Sequence, residues 1–130
     1  MIGIVVVMHG GLAREFRATA LHVLGEQPGI AAVRIGTDDD RGAKQAEICA
    51  AADAVDTGDG VVVVTDLYGG SPSNLSMNAC AGEQRRMLFG ANVPALLELV
   101  HNRHRPVDEA LHRAVEKGRL YLGSRIIRPV

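Results

Sequence analysis

Tryptophan is absent from this sequence, and its 130 residues include only two phenylalanines and two tyrosines. Stacking on nucleobases, sugars or an isoalloxazine ring therefore has few candidate side chains. A surplus of either charge is missing too: 14 lysines and arginines face 15 aspartates and glutamates, for a formal net charge of −1. A nucleic-acid binder needs a basic excess to neutralise phosphates, and a membrane-surface helix needs a basic face, so both classes are set aside. No apolar run reaches the ~18 residues of a membrane span. The opening MIGIVVVMHGG lacks the basic n-region of a signal peptide. Two cysteines, Cys49 and Cys80, lie far apart without metal-ligand spacing, so they read as small core residues in a reducing compartment. What is left, 47% apolar and 22% charged, describes a soluble cytoplasmic chain whose residues 1–130 make one domain.

Periodicity divides the chain into alternating strands and helices. Ile2–Met8 is a short β-branched run without alternation, which fits a strand buried on both faces. Leu12, Phe16, Ala20 and Leu24 then recur every four residues, marking an amphipathic helix that Gln27-Pro28-Gly29 should end. Ile30–Ile35 reads as a second strand. The acids of Thr37-Asp38-Asp39-Asp40 cap a helix over Arg41–Val55, whose apolar face is Ala43, Ala46, Ile48, Ala52 and Val55. Gly60–Leu67 is the clearest strand and, being apolar throughout Val61–Val64, a central one. Ser71-Pro72 supplies an N-cap and a proline for the next helix. Arg85–Phe89 is a fourth strand, Asn92-Val93-Pro94 starts a helix to about Val100, and Pro106 with Asp108 starts another that stops at Gly118. Leu120–Ile127 reads as a fifth strand, either parallel or an antiparallel edge. The alternation predicts an α/β domain with a flavodoxin-like, three-layer doubly wound sheet in which strands one and three are neighbours.

In such sheets the site lies beyond the carboxyl ends of the strands, where strand order reverses. There the loops after strands one and three carry Met8-His9-Gly10-Gly11-Leu12-Ala13 and Thr65-Asp66-Leu67-Tyr68-Gly69-Gly70-Ser71-Pro72-Ser73-Asn74. This winding sets His9 opposite Asp66. An imidazole is a nucleophile only through an unprotonated nitrogen, and a carboxylate bonded to the other nitrogen fixes tautomer and ring direction. Gly10 and Gly11 leave backbone N–H groups open at one helix start, which suits a phosphoryl group. Ser71 should cap a second helix pointing at the same spot, with Gly69-Gly70 letting its backbone approach closely. Together these residues outline a phosphohistidine site. Nucleotide binding through a Walker A or G-x-G-x-x-G loop is excluded because neither motif is present. A response-regulator receiver would need an acidic pair after strand one to hold Mg²⁺, and Met8-His9-Gly10 stands there instead.

The segments from Val7 to Ala13 and from Asp66 to Asn74 resemble the enzyme IIA domain of the mannose family of the bacterial phosphoenolpyruvate-dependent sugar phosphotransferase system. Gly90-Ala91-Asn92-Val93-Pro94-Ala95-Leu96-Leu97 is similar to that family's stretch after the fourth strand. The resemblance implies that His9 accepts a phosphoryl group from the phosphocarrier HPr and passes it to a IIB protein, with no metal or cofactor. It implies that Asp66 orients the histidine and that Ser71 lies near the phosphoryl group. It also implies four parallel strands plus an antiparallel fifth, Leu120–Ile127, exchanged between the subunits of a homodimer. Because the sequence stops at Val130 without a linker into IIB, a stand-alone IIA with its acceptor on a separate chain is expected. Such a protein meets a membrane only indirectly, through a permease complex. Two other roles fit the same residues: a regulatory module read through its phosphorylation state, and the phosphotransfer subunit of a dihydroxyacetone kinase system.

The remaining polar residues read as surface. His101 and His104 have no acidic or cysteine partner nearby in sequence, and His22 and His112 sit among polar neighbours. Arg103, Arg105, Arg113, Arg119, Arg125 and Arg128, set against three acids in the last thirty residues, suggest a solvated rim. Tyr68 either walls one side of the imidazole or simply packs.

Overall fold

A computed structural model describes residues 1–67, 70–79 and 82–129; Tyr68, Gly69 and Cys80 lie outside them. Four strands, β1 (Gly3–His9), β2 (Ile30–Ile35), β3 (Val61–Thr65) and β4 (Arg85–Leu88), alternate with α1 (Leu12–Leu24), α2 (Arg41–Val55) and α3 (Ser71–Ala79). The helices α4 (Val93–His101) and α5 (Val107–Tyr121) follow. The sheet is parallel throughout, in the order β2-β1-β3-β4. Strands one and three are neighbours, as the alternation predicts.

Side-chain parity along β1 builds the layers. Ile4, Val6 and Met8 join one apolar cluster with Phe16 of α1, Leu96 of α4 and Ala110 of α5. Val5 and Val7 join another with Ile48 and Ala52 of α2 and Leu75 of α3. Every residue of β3 is buried, as its unalternating valines require.

Several boundaries differ from expectation for identifiable reasons. Helix α1 stops at Leu24 because Gly25 takes φ of 81°, before the Pro28-Gly29 breaker is reached. Its Leu12 is 44% exposed, and Ala13 takes the core position instead. Ala43 and Ala46 of α2 also face solvent, leaving Ile48 and Ala52 as its buried pair. Asp40 caps α2, accepting the Ala43 N–H at 3.2 Å. Gly118 does not end α5. A Cβ there would lie 3.0 Å from both Ala95 Cβ and Asn92 Oδ1, so the glycine lets α5 approach α4 closely within a continuing helix. Leu120 and Tyr121 consequently belong to α5, and 122–129 pairs with no strand of its own chain.

Arg103 is no rim residue. It is 2% exposed, and its guanidinium donates to the carbonyls of Ile2 (2.8 Å), Pro28 (2.7 Å) and Gly29 (3.0 Å). Burial lowers its pKa, while the three carbonyls absorb its donors. His22, His101, His104 and His112 are exposed as expected.

Candidate functional site

The end of β1 carries the site because of register. Val7 lies opposite Thr65 of β3 and His9 opposite Ile35 of β2, so the residue leaving β3, Asp66, falls beside the residue closing β1. His9 shares the parity of Val5 and Val7, and its ring therefore emerges on the α3 side of the sheet. A Cβ at Gly70, just ahead of α3, would sit 3.6 Å from His9 Cε1. That distance is ordinary van der Waals contact, so Gly70 lies directly against the ring.

Asp66 holds His9 twice through one oxygen. Its Oδ2 lies 2.8 Å from His9 Nδ1 and also accepts the His9 backbone N–H at 3.2 Å. The His9 side chain is 48% exposed and that of Asp66 only 14%. Asp66 Oδ1 is enclosed and has no hydrogen-bond partner among the described residues, so the two bonds to His9 anchor the carboxylate. Partial burial pushes the Asp66 pKa up, but the hydrogen bonds from the His9 ring and backbone, with the attraction of the imidazole, outweigh it and the net shift is downward. An ionised carboxylate only accepts. Nδ1 therefore carries the proton, and Nε2 is left as the ring's free lone pair.

Two helix starts stand at this end of the sheet. Gly10 takes φ of +54° and donates its N–H to the Ile35 carbonyl at 2.9 Å, which turns the chain from β1 into α1. Gly11 opens α1 without any side-chain cap, so the first-turn amides have no side chain competing for them. In α3 the Gly70 carbonyl accepts the Asn74 N–H at 3.0 Å. Ser71 is thus the first helical residue rather than the cap, and it is exposed. His9, Asp66 and Gly70 come together, with Gly10, Gly11 and Ser71 adjoining them in the chain.

Sequence reasoning missed the β4–α4 loop as part of this construction. Ala91 donates its N–H to the Thr65 carbonyl at 3.1 Å, immediately before Asp66. Asn92 caps α4 and also donates to Gly118 of α5 at 2.9 Å. The first role is visible in an Asn two residues ahead of a proline; the second is a long-range contact with no local signal. Among the described residues no group of three or more His, Cys, Asp or Glu side chains is placed to hold a metal ion, and no helix is long and apolar enough to cross a membrane.

Comparison with known proteins adds three findings. The family model EIIA-man, described as PTS system fructose IIA component, matches residues 3–117. The PTS system mannose-specific EIIAB component of Escherichia coli (strain K12) is 29% identical over 132 residues, covering 99% of this chain and 41% of the relative. The same-named protein of Shigella flexneri gives the same figures. The chain thus spans about two fifths of the length of the curated relatives it matches. Among solved structures, the mannose/sorbose specific IIA subunit of phosphotransferase system from Enterococcus faecalis superposes with a TM-score of 0.85 at 24% identity, covering 98% of this chain and 97% of that one. The PTS IIA protein associated with the fucose utilization operon from Streptococcus pneumoniae gives 0.76 at 26% identity, covering 88% and 89%.

Proposed function

This chain belongs to the EIIA-man family of phosphotransferase-system IIA components, and from that premise we propose that it is a phosphoryl carrier whose His9 is charged by phospho-HPr and discharged to a IIB domain. The family implies phosphotransfer in sugar transport, and residues 1–130 make its single IIA domain. The observation that carries the reading is the 2.8 Å contact between His9 Nδ1 and Asp66 Oδ2 beneath a half-exposed ring.

The step balances simply. His9 Nε2 attacks phosphorus in line, the new N–P bond forms as the bond to the HPr histidine breaks, and the departing nitrogen regains its lone pair. Positive charge develops on the His9 ring, and the Asp66 carboxylate stabilises it through Nδ1–H. The equatorial oxygens face the open amides of Gly11 and the Gly70–Ser71 helix start. The Gly10 N–H, expected from the sequence to be open, is spent on the Ile35 carbonyl at 2.9 Å, and Gly10 serves the turn instead. HPr and IIB both approach from the cytoplasm, so the protein works there and meets the membrane only through a permease complex.

The same reading includes a homodimer built by the C-terminal segment. Among the described residues β4 is paired on one side only, which leaves an edge. Leu122, Ile126 and Ile127 are 82%, 73% and 93% exposed, and a cavity of about 370 Å³ lined by Met87, Phe89, Leu111, Val115 and Leu122 lies beside β4. A second copy's 122–127 segment, added antiparallel to that edge, would cover both. Sedimentation of the chain with and without the residues after Tyr121 tests it: a dimer that truncation converts to monomer is expected, and a monomeric intact chain refutes it.

For phosphotransfer, the test is intact-mass spectrometry after incubation with phosphoenolpyruvate, enzyme I and HPr. An acid-labile phosphoryl adduct is expected on the wild type and not on His9→Ala. A folded wild type that stays unmodified beside phosphorylated HPr would overturn the proposal.

A further inference from the structure

The loop between β4 and α4 ties the end of β3 to the last helix. Ala91 donates to the Thr65 carbonyl at 3.1 Å, at the point where the chain leaves β3 for Asp66. The next residue, Asn92, divides its side-chain amide between two helices: Oδ1 accepts the Ala95 N–H at 3.0 Å, and Nδ2 donates to the Gly118 carbonyl at 2.9 Å. Capping requires only the oxygen, which serine would supply. The donor half satisfies one of the last four carbonyls of α5, a group without an intrahelical partner. Gly118 is matched to this contact, because a Cβ there would sit 3.0 Å from Asn92 Oδ1 and from Ala95 Cβ. A Cβ at 118 would require Asn92 and Ala95 to give way by a few tenths of an ångström, which disturbs this contact.

We infer that Asn92 is a positioning residue for His9: its amide clamps α5 onto the loop that backs Asp66. The seating of α5, and of the segment leaving it at Leu122, thereby sets the geometry of the His9–Asp66 pair. The clamp runs through four contacts: Gly118 to Asn92, Ala91 to Thr65, and the two bonds from Asp66 Oδ2 to His9. This inference rests on the phosphocarrier reading for its kinetic readout, and is independent of that reading for its spectroscopic one.

Two variants attack the clamp from opposite sides. Asn92→Ser keeps a capping oxygen but cannot reach Gly118. Gly118→Ala raises helix propensity while pressing its Cβ against the Asn92 amide and Ala95. Nitrogen-15 NMR of the imidazoles reads the fraction of His9 carrying its proton on Nδ1, and single-turnover kinetics read phosphoryl uptake from phospho-HPr. Both variants are expected to lower the Nδ1–H fraction and to slow uptake by about tenfold at saturating donor, with the donor KM unchanged, as a small misplacement of a reacting group does. Either variant decides the matter if the other fails to fold. Wild-type tautomer fraction and wild-type rate in a folded variant would overturn the inference and leave Asn92 a helix cap. A wild-type chain that takes no phosphoryl group would refute the carrier reading, while the tautomer comparison would still decide the role of Asn92.

Discussion

Replacing Asp66 by asparagine removes a charge and leaves an acceptor of nearly the same shape, so its effect measures how much the carboxylate's charge matters to His9. Oδ2 lies 2.8 Å from Nδ1, and in the proposed transfer the ring becomes cationic as Nε2 attacks phosphorus. Opposite unit charges about 4 Å apart attract by about 4 kcal/mol at an effective dielectric constant of about 20. His9 is 48% exposed, and water screening leaves roughly half of that, about 2 kcal/mol. At about 1.4 kcal/mol per factor of ten, Asp66→Asn should slow phosphoryl uptake by about thirtyfold. Asp66→Ala also frees the ring and releases the His9 backbone N–H, so its loss should be larger, on the order of a hundredfold, as for other partners that orient an imidazole. Transfer should survive in both, since the carboxylate exchanges no atom with the phosphoryl group; in His9→Ala it should vanish. Rapid-quench single turnovers with excess phospho-HPr give the rates. Wild-type uptake by a folded Asp66→Ala would refute the reasoning.

Acid titration should expose the same pair. Burial raises the Asp66 pKa and the His9 hydrogen bonds lower it further than that, so the unfolded chain takes up this proton first as pH falls. The stabilisation is therefore complete above the ordinary carboxylate range near ~4 and drains away as pH drops through the lowered native value. Urea midpoints measured from pH 5 to pH 2.5 should fall more steeply for wild type than for Asp66→Asn, and parallel profiles would contradict the assignment. Arg103→Met should cost about 3 kcal/mol or more, because three backbone carbonyls lose a charged donor in the interior; a loss below about 1 kcal/mol by chemical denaturation would show that the site relaxes. Gly60→Ala should cost about 2 kcal/mol, since Gly60 holds φ of +102° and a Cβ would meet the Gln84 carbonyl oxygen at 2.7 Å. An unchanged melting temperature would argue against that close approach.

Much of the fold was legible because local signals agree with the tertiary outcome. β2 and α2 occupy the ranges their patterns predict, since Ile30–Ile35 has breakers on either side and Asp40 is a competent cap. The His9–Asp66 encounter was legible as well, because the reversal of strand order is a rule of topology and both residues end strands that must be neighbours. Other features were not. Leu12 fits an apolar stripe on paper, yet as the first residue of α1 it is 44% exposed, and Ala13 is buried in its place. Gly118 looks like a stop signal, because propensity cannot register a neighbouring helix close enough to need a missing Cβ. Arg103 looks like surface, because only the assembled chain brings the carbonyls of Ile2, Pro28 and Gly29 to one point.

By itself the sequence determined the order and type of the elements as far as the start of α5, the winding that makes strands one and three neighbours, and the loops that carry the candidate site. Those follow from hydrophobic period, turn residues and the handedness of crossovers, which act over a few residues or through general topology. The fifth strand it suggested over Leu120–Ile127 does not form within the chain. Only the tertiary structure decided that one oxygen of Asp66 grips both ring and backbone of His9, leaving Nε2 as the free nitrogen. It alone decided that α5 runs past Gly118 and that Asn92 joins it to the loop behind Asp66. These are contacts between residues distant in the chain, made only when packed elements bring their groups within about 3 Å of one another, and nothing in a local pattern encodes them.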